Sequence, residues 1–317
     1  MIAFAARRAL ALVPTWLGIS LLAFILSTAS PGDPAEIILG RRQEEPPTPQ
    51  QLDAFREQNG LDDPFVVQYA RWVADAATGD LGTSYRSGDP VLGELTSRVP
   101  GTLQIVVPAV ALAVVLALAV GVLSALRRNS FADHASRVGA LVADSVPSFV
   151  LAYLLIIVFS VELGWLPVAG RGSVRHYVLP VTTLALAVTA GMMRLLRSSL
   201  LDVLGEDYMR TAKAMGLRWG TIHLRYALRN ALIPMVTLAG ITLASLATGA
   251  IIVETVFAWP GVGQYVIGSI FDHDYPVIQG FVVFTGTIFV LVNLAVDLAY
   301  HRLDPRVRPV SGGTGGR

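Results

Sequence analysis

Few side chains in this 317-residue chain have the type and spacing that would do chemistry. Asp272-His273-Asp274 carries the donor atoms of a metal site. Three adjacent side chains rarely converge on one ion, and the supporting shell that orients ligands is not visible in the sequence, so no metal is expected there. Gly79-Asp80-Leu81-Gly82-Thr83-Ser84 has the glycines of a phosphate loop but lacks the Gly-Lys-Ser/Thr that would cradle phosphates. No other glycine-rich nucleotide loop occurs, so the chain is not expected to bind ATP in the usual way itself. The absence of cysteine excludes disulfides, iron–sulfur clusters and thiol catalysis. No Ser/His/Asp set or carboxylate pair converges, so no catalytic residue and no cofactor is expected. Asp144 is the ionisable residue that could lie at depth in an apolar run, where a central Asp costs about 2.5–3.5 kcal/mol. It stands near one end of its run and is read as pairing with an arginine, against the alternative of lining a pathway. Glu254 and Asp297 stand at run ends, where capping or pairing is expected.

What remains is a charged island between two apolar runs, Asp207-Tyr208-Met209-Arg210-Thr211-Ala212-Lys213-Ala214-Met215-Gly216-Leu217, followed by Asn230-Ala231-Leu232-Ile233-Pro234. Asp207 is expected to N-cap a short helix. Tyr208 to Met215 give it two turns, and Gly216 supplies the positive φ that ends it. A short helix between two membrane spans moves with both, and is a handle on which something outside the membrane can pull.

The elements that must position this handle follow from composition. The chain is 53% hydrophobic and 15% charged, with a mean hydropathy of +0.58, whereas a soluble domain is about 25% charged. A net charge of +1 gives no global field for nucleic acid. Uncharged runs cover Ala9–Pro31, Val99–Leu126, Ser145–Val161, His176–Met193, Asn230–Val253 and Tyr275–Val296. The first is longer than the roughly 7–15 residues of a signal-peptide core and close to the ~20 that span a bilayer. It is read as an uncleaved first helix. The third is short and is expected to extend back past Asp144 towards Val138. None alternates with period two, and backbone groups in lipid must be satisfied internally, so the expected fold is all-α with six transmembrane helices. With the N-terminus in the cytoplasm, the inside flanks hold Arg7, Arg8, Arg127, Arg128, Arg137, seven basic residues from Arg194 to Arg229, and Arg302, Arg306, Arg308 and Arg317. The short outside loops hold Arg171 and Arg175. The rule that basic residues stay inside therefore puts both termini and the charged island in the cytoplasm.

Residues 32–98 form the large outside segment, with twelve acidic residues against six arginines. Thr48-Pro49-Gln50-Gln51 starts a helix through a capping box, and Asn59-Gly60 stops it. Asp63-Pro64 starts a second helix with Phe65, Val66, Tyr69, Trp72 and Val73 on one face, expected to lie on the membrane surface or the tops of the spans. Asp89-Pro90 starts a third, short helix. Beyond the fifth run, Phe257 and Trp259 suit the bilayer interface, Pro260-Gly261 turns the chain, and Gly263 relieves a second tight turn.

The charged island resembles the "EAA" coupling loop of membrane subunits of bacterial ATP-binding-cassette importers. Ala212 and Gly216 fit the general pattern. Arg210 stands at the Glu position, Thr211 at the first Ala, and the gap to Pro234 is longer, which is similar to the dipeptide, oligopeptide and nickel branch. Glu254 to Gly263, Asp274-Tyr275-Pro276, Asp304-Pro305-Arg306 and Gly79 to Ser84 resemble the same branch, so the likeness covers nearly the whole chain. It implies a permease subunit of the bacterial inner membrane that works by alternating access. Its partners would be a second permease, two cytoplasmic ATPases that bind and hydrolyse ATP, and an extracytoplasmic substrate-binding protein, with lipid around it. It also implies coupling through Asp207, Tyr208, Arg210, Thr211, Ala212, Lys213, Ala214 and Gly216, and an outer mouth at Glu254, Phe257, Trp259, Pro260, Gly261 and Gly263. The parts are then a first helix (1–31), the outer segment (32–98), a five-span core (99–302) with a coupling loop (201–230), and a tail (303–317). Thr237, Gly240, Ala244, Ala247 and Thr248 form one small, weakly polar side of the fifth span, suited to a pathway for short peptides or to close packing against the partner permease. Nickel or a metal chelate is the alternative substrate. A membrane-embedded enzyme lacks its constellation, and an ATPase-independent channel has no use for the cytoplasmic handle.

Overall fold

The computed structural model describes residues 2–28, 33–42 and 46–303. The tail 304–317, including Asp304-Pro305-Arg306, lies outside the described residues, as do the side chains of Arg7, Arg8, Asp297 and Arg302. The chain forms α1 (Ile2–Thr28), α2 (Pro34–Arg42), α3 (Pro49–Asn59), α4 (Phe65–Thr78), α5 (Val91–Leu126), α6 (Phe131–Ser145), α7 (Ser148–Leu155), α8 (Arg175–Gly205), α9 (Asp207–Ala214), α10 (Leu228–Gly249), α11 (Ile251–Val256), α12 (Val262–Phe271) and α13 (Tyr275–Leu303). Wider π turns extend α7 over Ile156–Glu162 and lead into α10 over Thr221–Ala227. Among the described residues there is no strand, only an isolated bridge between Thr83 and Pro90.

The centre is the pair α5 and α8. Ile105, Ala109, Ala113 and Ala117 recur every four residues on α5 and are all fully buried. The three alanines of this stripe let another backbone come close. The approach is close at Gly121, where an added Cβ would lie 3.2 Å from the Met193 carbonyl of α8. α6, α7 and α10 pack around α8, while α1 pairs with α13. There the Trp16 indole donates to Thr287 at 2.9 Å. The apolar face of α4 meets α1, with the rings of Phe65, Tyr69 and Trp72 5.3–5.7 Å from Phe24.

By length and composition, three helices among the described residues are able to cross a bilayer: α5, α8, and the π turn with α10. The bent pair α6 and α7 raises the number to four. Shorter apolar stretches occupy Val13–Ile25 and Tyr275–Leu291. Two expectations are corrected. The third apolar run does not extend back towards Val138, because α6 and α7 meet at 101°. Val146 precedes Pro147 and is extended, at φ −91° and ψ 118°, as steric clash with the proline ring demands. And Asp89-Pro90 does not start a separate short helix. α5 begins at Val91 and continues into the second apolar run without a break. Its two charges in that stretch neutralise each other, Arg98 pairing with Glu94 one turn away at 2.5 Å.

Candidate functional site

At the basic end of the bundle, α9 follows α8 after the single extended residue Glu206. Asp207 is the first helical residue. Glu206 holds the N-cap position and neither side chain makes a capping bond, which corrects the expected Asp207 cap. The stop is as expected: Gly216 has φ +75°. Its N–H donates to Lys213 O at 3.1 Å, while that of Leu217 donates to Ala212 O at 3.3 Å. These paired bonds satisfy the last carbonyls of the helix. Met209 and Ala212 are buried against the bundle. Arg210 is exposed and pairs loosely with Asp207 at 3.4 Å, and the Thr211 hydroxyl caps back on Asp207 O. Tyr208 accepts a hydrogen bond at 3.0 Å from the Asn230 amide, tying α9 to the start of α10. Arg210 and Lys213 line a cavity of about 460 Å³ with Leu217, Trp219 and His223. α9 is thus anchored on both neighbouring spans, with its basic side open.

Beneath it lies a cluster the sequence reading missed. Asp133 of α6 is fully buried. It takes Arg197 of α8 in a two-pronged ion pair, Nε at 2.7 Å and Nη2 at 2.8 Å. It also accepts from the Ser124 hydroxyl of α5 at 2.6 Å and the Asn129 N–H at 2.9 Å. The Arg197 guanidinium holds the Asp133 carboxyl well below its ordinary range; burial opposes this, and the Ser124 and Asn129 donors assist. Four donors on one carboxylate lock α5, α6 and α8 together. Asp144 pairs with Arg194 at 2.5 Å on the same side of α8.

At the opposite end, Glu254 is fully buried in α11. One oxygen accepts from Thr102 of α5 at 2.6 Å; the other accepts the N–H groups of Gly263 and Gln264 at 2.7 and 3.1 Å. Those are free donors of the first turn of α12, which favours a negative charge. Thr102 accepts in turn from Val262 N–H. Phe257 and Trp259 do not face a bilayer interface as expected: both are buried, Trp259 at 0% exposure. The Trp259 indole donates to Gly101 O at 2.7 Å and its ring stands edge-on to Tyr177 of α8 at 4.6 Å. An interfacial and a buried tryptophan look alike in sequence, because each pairs an apolar ring with one donor. Nor is Gly263 a turn residue. It lies inside α12, where an added Cβ would sit 2.5 Å from Ile251 Cα, and one on Gly101 would sit 2.1 Å from Pro260 O.

Two motifs that are far apart in sequence form one joint. Asp274 is buried and accepts from the Ser84 hydroxyl at 2.5 Å and from Tyr85 N–H at 3.0 Å. Asp272 pairs with Arg86 at 2.5 Å. Among the described residues no group of three or more His, Asp or Glu is placed to hold a metal. Of the small residues on the fifth span, Gly240, Ala244 and Ala247 line a narrow apolar cleft of about 230 Å³ against Leu103 of α5 and Phe284 of α13. Thr237 and Thr248 bond to carbonyls of their own helix.

Residues 117–309 match the family described as "Binding-protein-dependent transport system inner membrane component". Residues 1–106 match its N-terminal companion, "Binding-prot-dependent transport system membrane comp, N-term". The glutathione transport system permease protein GsiC of Escherichia coli O6:H1 is 42% identical over 308 residues, covering 97% of this chain and 99% of its own. GsiC of Escherichia coli K12 gives the same values. That of Shigella boydii serotype 4 is 41% identical over the same lengths. A solved structure described as "Crystal structure of an amino acid ABC transporter with histidines" aligns over 68% of this chain and 94% of its own. Its TM-score is 0.50 at 15% identity, a likeness of fold.

Proposed function

The chain belongs to the family of inner-membrane components of binding-protein-dependent transport systems, and on that premise we propose that it carries short peptides of the glutathione class inward, as one half of a pathway completed by a second permease. The observation behind the substrate is the 42% identity, over almost the full length of both chains, to permeases named for glutathione transport. Glutathione is itself a short peptide. Two ATPases are assigned to the cytoplasmic face and a substrate-binding protein to the outer face. Six spans are assigned to α1, α5, α7 with its π turn, α8, α10 and α13, with both termini inside. The arginine asymmetry supports that orientation.

The mechanism assigned is alternating access. Closure of the ATPases on ATP displaces α9, whose buried Met209 and Tyr208–Asn230 bond carry the motion to α8 and α10. The Asp133–Arg197 lock carries it from α8 to α5 and α6. At the far end, Thr102 and Glu254 tie α5 to α11 and α12, so the outer mouth responds to the same displacement. Uptake of labelled glutathione, a labelled dipeptide and labelled nickel, in cells with and without the gene, tests the substrate. Loss of peptide uptake with nickel uptake intact is the expected result. The reverse would replace peptide by metal and leave the permease assignment standing.

A further inference from the structure

α6 has a buried side and an exposed apolar side. Ala140 and the neutralised Asp133 turn into the bundle. On the opposite side Phe131, Ala135, Val138 and Val142 follow each other at intervals of four, three and four residues, which places them on one helical face. Phe131 is 88% exposed and Val138 and Val142 are 59% exposed. The 101° bend at Val146-Pro147 sets α6 across the direction of α7. With α7 as a span, α6 lies in the plane of the membrane rather than through it. Its charges are sorted. Both of its acids are consumed, Asp133 by Arg197 and Asp144 by Arg194. Arg127, Arg128 and Arg137 are exposed, and no acidic side chain among the described residues pairs with them. An in-plane helix with an outward apolar stripe and unpaired arginines at its edge has the make-up of an interfacial membrane helix. The basic sign selects anionic headgroups, which attract nearby arginines.

We propose that α6 is an interfacial lipid-binding helix: its Phe131–Val142 stripe sits among acyl chains, and Arg127, Arg128 and Arg137 hold the headgroups of anionic phospholipids. The assignment rests on the orientation proposed above. A protein partner is a poorer occupant, because a buried protein interface would leave three arginines needing three acids from the partner, whereas a lipid surface supplies mobile phosphates around an exposed helix. Because Asp133 joins α6 to α8, bound lipid also stiffens the span that carries α9.

The chain has no cysteine, so with partner subunits made cysteine-free a nitroxide can be placed on Val138→Cys alone in the assembled transporter. The complex is held in nanodiscs of phosphatidylcholine, or of an equal mixture of phosphatidylcholine and phosphatidylglycerol. Accessibility to oxygen and to a water-soluble nickel chelate is read by power saturation. The expected result is a label that favours oxygen, with the preference rising at least twofold in the anionic discs. The rise should vanish in the triple variant Arg127→Gln/Arg128→Gln/Arg137→Gln and return in the triple Lys variant. A label favouring the nickel chelate in both lipids, one immobilised alike in both as under a protein partner, or a rise that survives the Gln variant would each overturn the proposal. An impermeant thiol reagent separates this from a failure of orientation. If unlabelled Val138→Cys is unreachable from outside while the charge response is absent, the lipid site falls and the topology stands.

Discussion

Removing Arg197 tests whether its pair with Asp133 holds α8 at its basic end. In Arg197→Ala the fully buried Asp133 carboxylate loses two of its four donors and its only counter-charge among them, keeping Ser124 and the Asn129 N–H. Orphaning one member of a buried pair costs about 3–5 kcal/mol. The Arg197 side chain is 18% exposed, so water enters its place and the expected loss is the low end, about 3 kcal/mol. Asp133→Asn leaves an arginine that rehydrates through its open edge, with a loss of about 2 kcal/mol. The double variant has no orphan, so its loss falls short of the sum by about 2 kcal/mol. The assay is thermal melting of the purified complex at one fixed scan rate, since membrane complexes unfold irreversibly. At about 2–4 °C per kcal/mol, Arg197→Ala melts about 6–12 °C below wild type. The pH dependence has a definite sign. Because the native Asp133 carboxyl titrates below its ordinary range, its contribution is complete above the unfolded value of about 3.9. It is lost only as pH falls through the lower native value. The gap between wild type and Asp133→Asn should be flat from about pH 8 to 5 and narrow below about 4. Additive single variants, or an Arg197→Ala complex melting within about 2 °C of wild type, would refute the lock.

Three further outcomes are expected. A Cβ added at Gly216 meets nothing within 4 Å, so the main cost of Gly216→Val is the strained φ, about 1–3 kcal/mol; the chain should insert normally while substrate-stimulated ATPase activity of the complex is lost. Gly101→Ala would place a methyl 2.1 Å from the Pro260 carbonyl and should abolish recoverable folded complex in a gel-filtration assay, whereas Gly240→Ala, with open space around it, should not. Single cysteines at Ser87 and Gln264 should react with an impermeant thiol reagent in intact cells, and one at Thr221 should not; labelling of Thr221 would invert the topology.

Local signals were readable and distant ones were not. The Thr48 capping box and the Gly60 stop of α3 form as the residues dictate, and Gly216 ends α9 as expected. Each depends on neighbours within one helical turn. The bend at Val146-Pro147 was also written locally, but a continuous apolar run on one side of it outweighed a single proline. Asp133 and Arg197 are 64 positions apart, and nothing in either neighbourhood marks them as partners. The same holds for Ser84 with Asp274, 190 positions apart: both motifs were recognised, but only the fold reveals that they are two halves of one joint. Glu254 was placed at a span end, where it does cap a helix, yet the capped helix is α12 rather than its own.

The tight contact of Gly121 with Met193 also sets a mechanical ratio. α8 is one helix that lies along α5, and Met193 against Gly121 is one close point of that contact. At 1.5 Å per residue, the arm from Met193 to Gly205 is about 18 Å and the arm to Tyr177 about 24 Å. If the helix turns about that point without bending, carrying its α6 lock with it, a push of about 3 Å at the Gly205 end swings the Tyr177 end by about 4 Å the opposite way. Tyr177 leans on Trp259, so under that condition the position of the contact turns a stroke at one end into a slightly larger one at the other. Bulk added at Gly121 would alter the gearing before it altered either end.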